Sequence, residues 1–410
     1  MNLPRLFIRP QLSKILKREV LTGMLAVSVC LLFLFSRASS HDPITTSVTF
    51  NKEVIRILQR SCLGCHSNHS LINIPLTSFE QARPWAKAIK EEVLEKRMPP
   101  FQAVRGYGDF HNGYLLPHRD VELIVSWVEG GAPKGEDKDF PRELINSDWA
   151  FGQPDLNLQP EQVINLPAGE GDEVRCLKLP TNLAADRWIN ALDFHPTNSR
   201  IVDAAEFAVA RQGVDACGNH SSLEKIGAWV PGQEAIRLPA DAGFLLPANS
   251  SIVMKIRYRK AAEAATDHST LGVYFAKGEK IRTVKSVPVA SLPMLIPAGA
   301  ARQRVKAAWT MRETSTLFAV RPLLFPLGKS VEVTACKPDG STEVMILVRD
   351  YRYDWQPIYQ FREPVTLPAG TRLEVTSWLD NSDNNPNLRD QKPRPKRTKL
   401  TLCELLLAAG

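Results

Sequence analysis

Five consecutive residues, Cys62-Leu63-Gly64-Cys65-His66, constrain this 410-residue chain more than any other stretch. Two thiols three positions apart, with an imidazole directly after the second, have the spacing of covalent haem attachment. Each thiol forms a thioether to one haem vinyl group, and the adjoining His66 is placed to bind the iron from the proximal side. The competing readings are a stray cysteine pair, half a zinc site and a redox dithiol. With seven Cys and eight His in the whole chain, chance does not readily assemble this pentapeptide. A zinc site needs two further ligands, and the sequence holds no second CxxC and no HxxxH. A thioredoxin-like dithiol follows a strand in a βαβ unit, whereas the residues before Cys62 carry a helical pattern. The motif therefore predicts one haem c, bound through Cys62, Cys65 and His66.

The flanking sequence supplies the helices such a haem requires. Asn51 is the expected N-cap of the first, with Val54, Ile55 and Leu58 at helical spacing. A second is predicted over residues 79–96, with Trp85, Ile89 and Val93 on one stripe, ending at Arg97-Met98-Pro99-Pro100-Phe101. A third runs over residues 119–129, with Val121, Ile124, Val125 and Val128 apolar, and Gly130-Gly131 ends it. Met98 is the candidate distal iron ligand, because the prolines after it hold its segment extended. It is also the only Met between residues 25 and 253. His69, His111 and His118 compete for that role and read as surface residues. A thioether ligand raises the potential relative to bis-His ligation. With both axial positions filled, the iron transfers electrons and does not bind oxygen.

The length suggests two to four domains, and 44% hydrophobic with 23% charged residues is an ordinary globular composition. The net charge of +7 owes much to Arg5, Arg9, Lys14, Lys17 and Arg18 and to the 391–399 stretch. No basic stripe is interleaved with aromatics, so nucleic acid is not an expected partner. Residues 1–40 read as a targeting segment, with a basic region before a charge-free apolar run over residues 20–35. That run falls short of the ~20 residues a membrane-spanning helix needs, which leaves a signal peptide and an uncleaved membrane anchor both open. In either case the residues from about 40 onward are exported, to the periplasm or the outer face of the cytoplasmic membrane. Outside the leader and the haem motif, Cys176, Cys217, Cys336 and Cys403 remain. An even number suits an oxidising compartment, and four Cys allow three pairings.

CLGCH, then IPLTSFEQARPWAKAIKEEVLEKRMPPF, then HRDVELIVSWVEGGAPKGE resembles a bacterial cytochrome c domain, over nearly all of residues 48–136. That domain is found fused ahead of copper type II, ascorbate-dependent monooxygenase-like modules. Residues 136–150 read as a linker. Beyond them, short β-branched and aromatic runs at 251–258, 271–275, 330–335, 344–348 and 372–378 read as strands between Pro, Gly, Asn and Asp turns. Many short strands without intervening helices argue for sandwiches. This half resembles the catalytic core of peptidylglycine α-hydroxylating monooxygenase and its bacterial relatives. The shared landmarks include WAFGQPD at 149–155, HPTNSRIV at 195–202, WVPG at 229–232, LGKSVEVTACKPDGS at 327–341 and DYRYDWQPIYQF at 350–361. The two resemblances imply a multidomain chain: an all-α class I cytochrome c domain over 45–135, then two all-β jelly-roll-like sandwiches over 151–288 and 289–410.

The second resemblance also implies six copper ligands, and the matching positions do not supply them. The adjacent His pair of the first copper falls on Asp203 and Ala204, and its third ligand on Arg257 of Arg257-Tyr258-Arg259. The HxH of the second copper falls on Leu323 and Phe325, and its Met on Leu405, after Glu404. Asp203 offers one hard oxygen, and the others offer no donor or a cation. Leu323, Leu324 and Phe325 read as a site filled with core, and Arg257 with Arg259 as a charged pocket. The remaining His195, His220 and His268 read as solvated loop histidines, and no GxSxG, HExxH or P-loop supplies another catalytic centre. A fold does not confer a function by itself. The expectation is an exported mono-haem electron carrier, fused to a copper-free double sandwich that binds or docks, which leaves open whether the chain is also an enzyme. Its partner is a periplasmic redox protein, and it meets the membrane through the N-terminal segment if that is uncleaved. The alternative is a copper-dependent, ascorbate-type monooxygenase that receives electrons through the haem domain.

Overall fold

The computed structural model describes residues 46–67, 74–100, 102–111, 116–142, 149–218, 223–388 and 393–410. The targeting segment, His69 and His220 lie outside the described residues. A small helical region comes first, and an extensive β-rich region of several sheets follows. Among the described residues no helix is long and apolar enough to cross a membrane.

Thr49, in extended conformation, precedes a π-helical turn, Phe50–Val54, that runs into α1 (Ile55–Ser61). The helix thus starts upstream of Asn51, because Phe50 is drawn inward against Phe79 and Trp127, with ring centroids 5.7 and 5.9 Å away. Asn51 is no cap: its buried Nδ2 donates to the Glu136 carbonyl at 3.1 Å. The Glu53 carboxylate instead accepts from the Thr49 N–H at 2.9 Å, one residue beyond the capping-box position, as the wider π-helical turn allows. Pro84 divides the predicted second helix into α2 (Phe79–Ala82), a 3-10 turn over Arg83–Trp85 and α3 (Ala86–Leu94). A Schellman turn ends α3: Lys96 sits at φ 58°, its N–H reaches Val93 O at 3.2 Å, and Arg97 N–H reaches Glu92 O at 2.9 Å. The same device on Gly131, at φ 85°, ends α4 (His118–Glu129). That helix buries Ile124 and Trp127, and the Trp127 indole donates to Pro133 O at 3.0 Å.

The first β-unit contains β1 (Asp172–Pro180), β2 (Arg187–His195), β3 (Val202–Ala210), β4 (Glu224–Trp229), β5 (Ala242–Leu246), β6 (Ser251–Arg259) and β7 (Thr270–Phe275). One of its sheets runs β1-β6-β3-β4 and the other has β7-β2-β5 at its centre, and both contribute to one core. The second unit contains β8 (Lys285–Ala290), β9 (Gln303–Thr310), β10 (Ser315–Pro322), β11 (Gly328–Cys336), β12 (Thr342–Val348), β13 (Tyr359–Leu367), β14 (Arg372–Leu379) and β15 (Thr401–Ala409). Its sheets run β8-β15-β10-β13 and β9-β14-β11-β12. β11 alternates as a half-solvated strand should, with Val331, Val333 and Ala335 inward and Glu332 and Thr334 less buried.

β10 and β15 behave differently, being buried along nearly their whole length. Leu317, Val320, Leu405 and Leu407 face the core of the second unit. Phe318, Ala319, Leu406 and Ala408 face the core of the first. One sheet is therefore a wall of both units, and the sheet is apolar on both sides for that reason. The helical region is tied on as well. Val104 N–H donates to Leu347 O and His111 N–H to Gln360 O, each at 2.7 Å, so residues 102–111 follow the edges of β12 and β13.

Trp127 fills the centre of the helical region, with Phe50 beside it. Trp127→Ala is expected to destabilise that region by about 3–5 kcal/mol, measured by chemical denaturation. A loss well below 1 kcal/mol would remove Trp127 as its keystone.

Candidate haem cavity

The CLGCH loop closes directly on the end of α1. Cys62 N–H bonds to Leu58 O at 2.7 Å, and His66 N–H returns to Cys62 O at 2.9 Å, which gathers both thiols and the imidazole on one turn. His66 Nδ1 lies 2.9 Å from Ile74 O. A carbonyl only accepts, so Nδ1 carries the proton and Nε2 keeps its lone pair for a metal. Cys62 and Cys65 are not joined to each other. Burial, with the neighbouring Cys65 adding to it, pushes the Cys62 thiol up to about 12. Burial pushes Cys65 up to about 11, against the opposing charge of Arg352. Redox dithiols and zinc thiolates need the opposite shift.

These three side chains line a cavity of about 460 Å³, within the range of about 300–1,000 Å³ typical of small-molecule and cofactor sites. Met98 lines the same cavity, carried there by the turn that ends α3. Trp85, Ile89 and Val93, the stripe expected on the second helix, form an apolar wall of it. Among the competing histidines, exposed His118 pairs with Glu122 at 3.1 Å, and neither His118 nor His111 lines the cavity. A donor nitrogen, two unpaired thiols, a thioether and an apolar wall around one space fit a covalently bound haem.

The β-rich region closes the cavity, which the sequence did not announce. Pro231, Asp203 and Arg259 come from the first β-unit, and Arg352, Asp354 and Trp355 from the second. Gly232, at φ 79°, lies so close to the motif that a Cβ there would stand 2.5 Å from Cys65 Sγ. Trp355 Nε1 donates to Pro231 O at 3.2 Å, and Gln102 joins the Met98 segment to the 352–355 loop through bonds of 3.0 and 2.9 Å. The nearest sequence signals were WVPG and DYRYDWQPIYQF, which registered only as framework.

The structure brings the first-copper positions together without making a copper site. Asp203 sits at a bulge of β3, where Val202 faces Tyr258 and Ala204 faces Arg257 on β6. Its buried carboxylate accepts from Arg257 Nε at 2.6 Å and from Arg259 at 2.9 Å. Two guanidiniums thus occupy the one oxygen donor of the set, and Ala204 offers none. At the second-copper positions Leu405 is fully buried, and Leu324 and Phe325 belong to the same core, with Leu323 bonded through its N–H to Leu402 O at 3.0 Å. These residues do not fit copper.

Neither His195 nor His268 lines the cavity. His195 ends β2 instead of sitting in a loop: its Nε2 lies 3.0 Å from Asp193 and its ring 4.3 Å from that of Trp149. His268 Nε2 lies 2.9 Å from Pro160 O. Cys176 and Cys217 form a disulfide with Cα atoms 5.7 Å apart, while Cys336 and Cys403 are free. Among the described residues no group of three or more His, Cys, Asp or Glu is arranged to hold a metal ion.

No protein-family model and no curated protein matches the chain. Solved structures with some likeness include an assigned alpha-L-fucosidase of Bacteroides ovatus, at 11% identity over 70% of this chain and TM-score 0.17. The chain spans 43% of that protein's length. Others are the major capsid protein of bacteriophage PM2, at 10% identity over 62% of this chain and 97% of that one, TM-score 0.26, and allantoicase, at 10% over 59% and 80%, TM-score 0.20. Likeness at these scores carries no functional argument.

The seam between motif and β-region is testable at Gly232. Gly232→Ala adds a clash with Cys65 to the cost of a left-handed backbone, and is expected to destabilise by more than about 1 kcal/mol. Gly299→Ala, at φ 74° with open space around it, carries the backbone cost alone. Equal unfolding midpoints for the two variants would contradict the close seam.

Proposed function

We propose that this chain is an exported mono-haem c-type cytochrome that transfers electrons singly. Its β-rich region is a copper-free, jelly-roll-like double sandwich that completes the haem cavity and serves binding or docking. The observation that carries the reading is the convergence of Cys62, Cys65, His66 and Met98 on one cavity. With haem bound, the group supplies reversible one-electron chemistry at iron. The chain supplies the rest: the Ile74 carbonyl aims His66, the thiols of Cys62 and Cys65 would anchor a haem covalently, and His66 and Met98 would hold its iron. Trp85, Ile89 and Val93, which line the cavity, would exclude water from the bound group. The class I cytochrome c architecture proposed for the helical region is supported by a motif helix that feeds directly into CLGCH and by a terminal helix packed against it. The proposed site of action is the periplasm or the outer face of the cytoplasmic membrane, with a periplasmic redox protein as partner.

The monooxygenase alternative loses support at Asp203, Ala204, Arg257, Leu323, Phe325 and Leu405, where donors are engaged or missing. Metal analysis of the exported chain after copper loading separates the two readings. One iron and no copper per chain is expected, and one or two tightly held coppers would contradict the carrier reading. Met98→Ala is expected to make the iron accessible to carbon monoxide and to lower the reduction equilibrium at least tenfold, about 59 mV for one electron. An unchanged spectrum would remove Met98 as ligand.

A further inference from the structure

The helical region lines the cavity with a single charged side chain, Glu92, and that carboxylate is taken by Arg97 through two bonds of 3.0 Å. Every cation on the cavity wall comes from the β-rich region: Arg259 from β6 and Arg352 from the loop after β12. Arg352 grips Asp354 through two nitrogens, at 3.1 and 2.9 Å. Arg259 shares Asp203 with Arg257. The cluster of Arg257, Arg259 and Arg352 against Asp203 and Asp354 therefore holds one positive charge more than it neutralises. Arg259 Nε is also buried and has no hydrogen-bond partner. That Nε is out of a cavity ligand's reach, but Asp203 holds Arg259 through Nη2 at 2.9 Å and the side chain is 41% exposed, so the guanidinium keeps a free edge beside an excess positive charge.

A haem brings two carboxylates into its pocket, and a carboxylate withdrawn from water needs a cation with matching hydrogen bonds. We propose that Arg259, backed by Arg352, binds a haem propionate through the edge of its guanidinium that Asp203 leaves free. The place of the lost first copper thus forms the anion-binding wall of the haem pocket. This assignment rests on the haem reading above. It gives the copper-free sandwich a defined task, because the charge that sets the haem's potential then comes from the β-rich region. Arginine suits the role through its fixed fork, which lets one guanidinium hold Asp203 on one side and a second carboxylate on the other.

The test is a redox titration of the exported full-length chain, with haem content read from the absorbance of the denatured protein. Arg259→Gln is expected to retain one covalent haem and to lower the reduction equilibrium about tenfold, equivalent to about 59 mV for one electron. Arg352→Gln should shift it in the same direction. Arg259→Lys, which keeps the charge without the fork, should give a smaller shift. Wild-type potentials in the haem-loaded Gln variants would overturn the proposal. If Arg259→Gln is not recovered folded, Arg352→Gln and Arg259→Lys decide it, and the absence of any shift in both overturns it. A wild-type chain without covalent haem is a different result, which removes the haem reading itself.

Discussion

Strands β10 and β15 are buried on both faces, and the arrangement of the molecule follows from that. A strand with one apolar face belongs to one core; these two alternate between the core of each β-unit. The sheet they centre cannot move relative to either unit without exposing Phe318 and Leu406 on one side or Leu317 and Leu405 on the other. Fully burying such side chains is worth about 1.5–3 kcal/mol each, so the two units are held at a fixed angle. A buried ionic group lies on the same seam, with Arg321 reaching Glu206 at 2.8 Å and Glu404 at 3.5 Å. Its pairing is what makes charge tolerable there, since an unpaired ion in that position would be strongly destabilising.

The fixed angle matters because the cavity draws on both units and on the helical region. Pro231 and Gly232 press on the Cys65 turn from the first unit, while Trp355 and Arg352 reach it from the second. Residues 102–111 run from the Met98 loop along β12 and β13. The Met98 side of the cavity is therefore tied to the β-rich region by backbone hydrogen bonds. A small helical region with its own modest core gains a rigid wall that it could not build alone. The cluster at Asp203 fits that account, because Asp203 and Arg259 form part of the cavity's boundary.

Local chemistry in the sequence was legible and its long-range consequences were not. The spacing of Cys62, Cys65 and His66 and the isolation of Met98 are read within a few residues, and the structure places all four on one cavity. Strands expected at 251–258, 330–335 and 372–378 appear as Ser251–Arg259, Gly328–Cys336 and Arg372–Leu379, because alternation with a period of two is also local. Asn51 misled as a cap because Phe50, pulled into the core, moved the helix start upstream. Pro84 interrupted a helix whose apolar stripe looked continuous. The partners of Cys62 and Cys65 across the seam come from near residues 231, 259 and 352, and only the sheet register brings those segments together. The pairing of Cys176 with Cys217, left open among three possibilities, was fixed by the same tertiary placement.

The most direct measurement is the mass of the exported chain under denaturing conditions, combined with alkylation of its thiols. The account predicts a chain heavier by one haem that stays attached after unfolding, with Cys62 and Cys65 protected from alkylation and Cys336 and Cys403 modified. A chain of unmodified mass with Cys62 and Cys65 both alkylated would contradict it, and the cavity would then need another occupant.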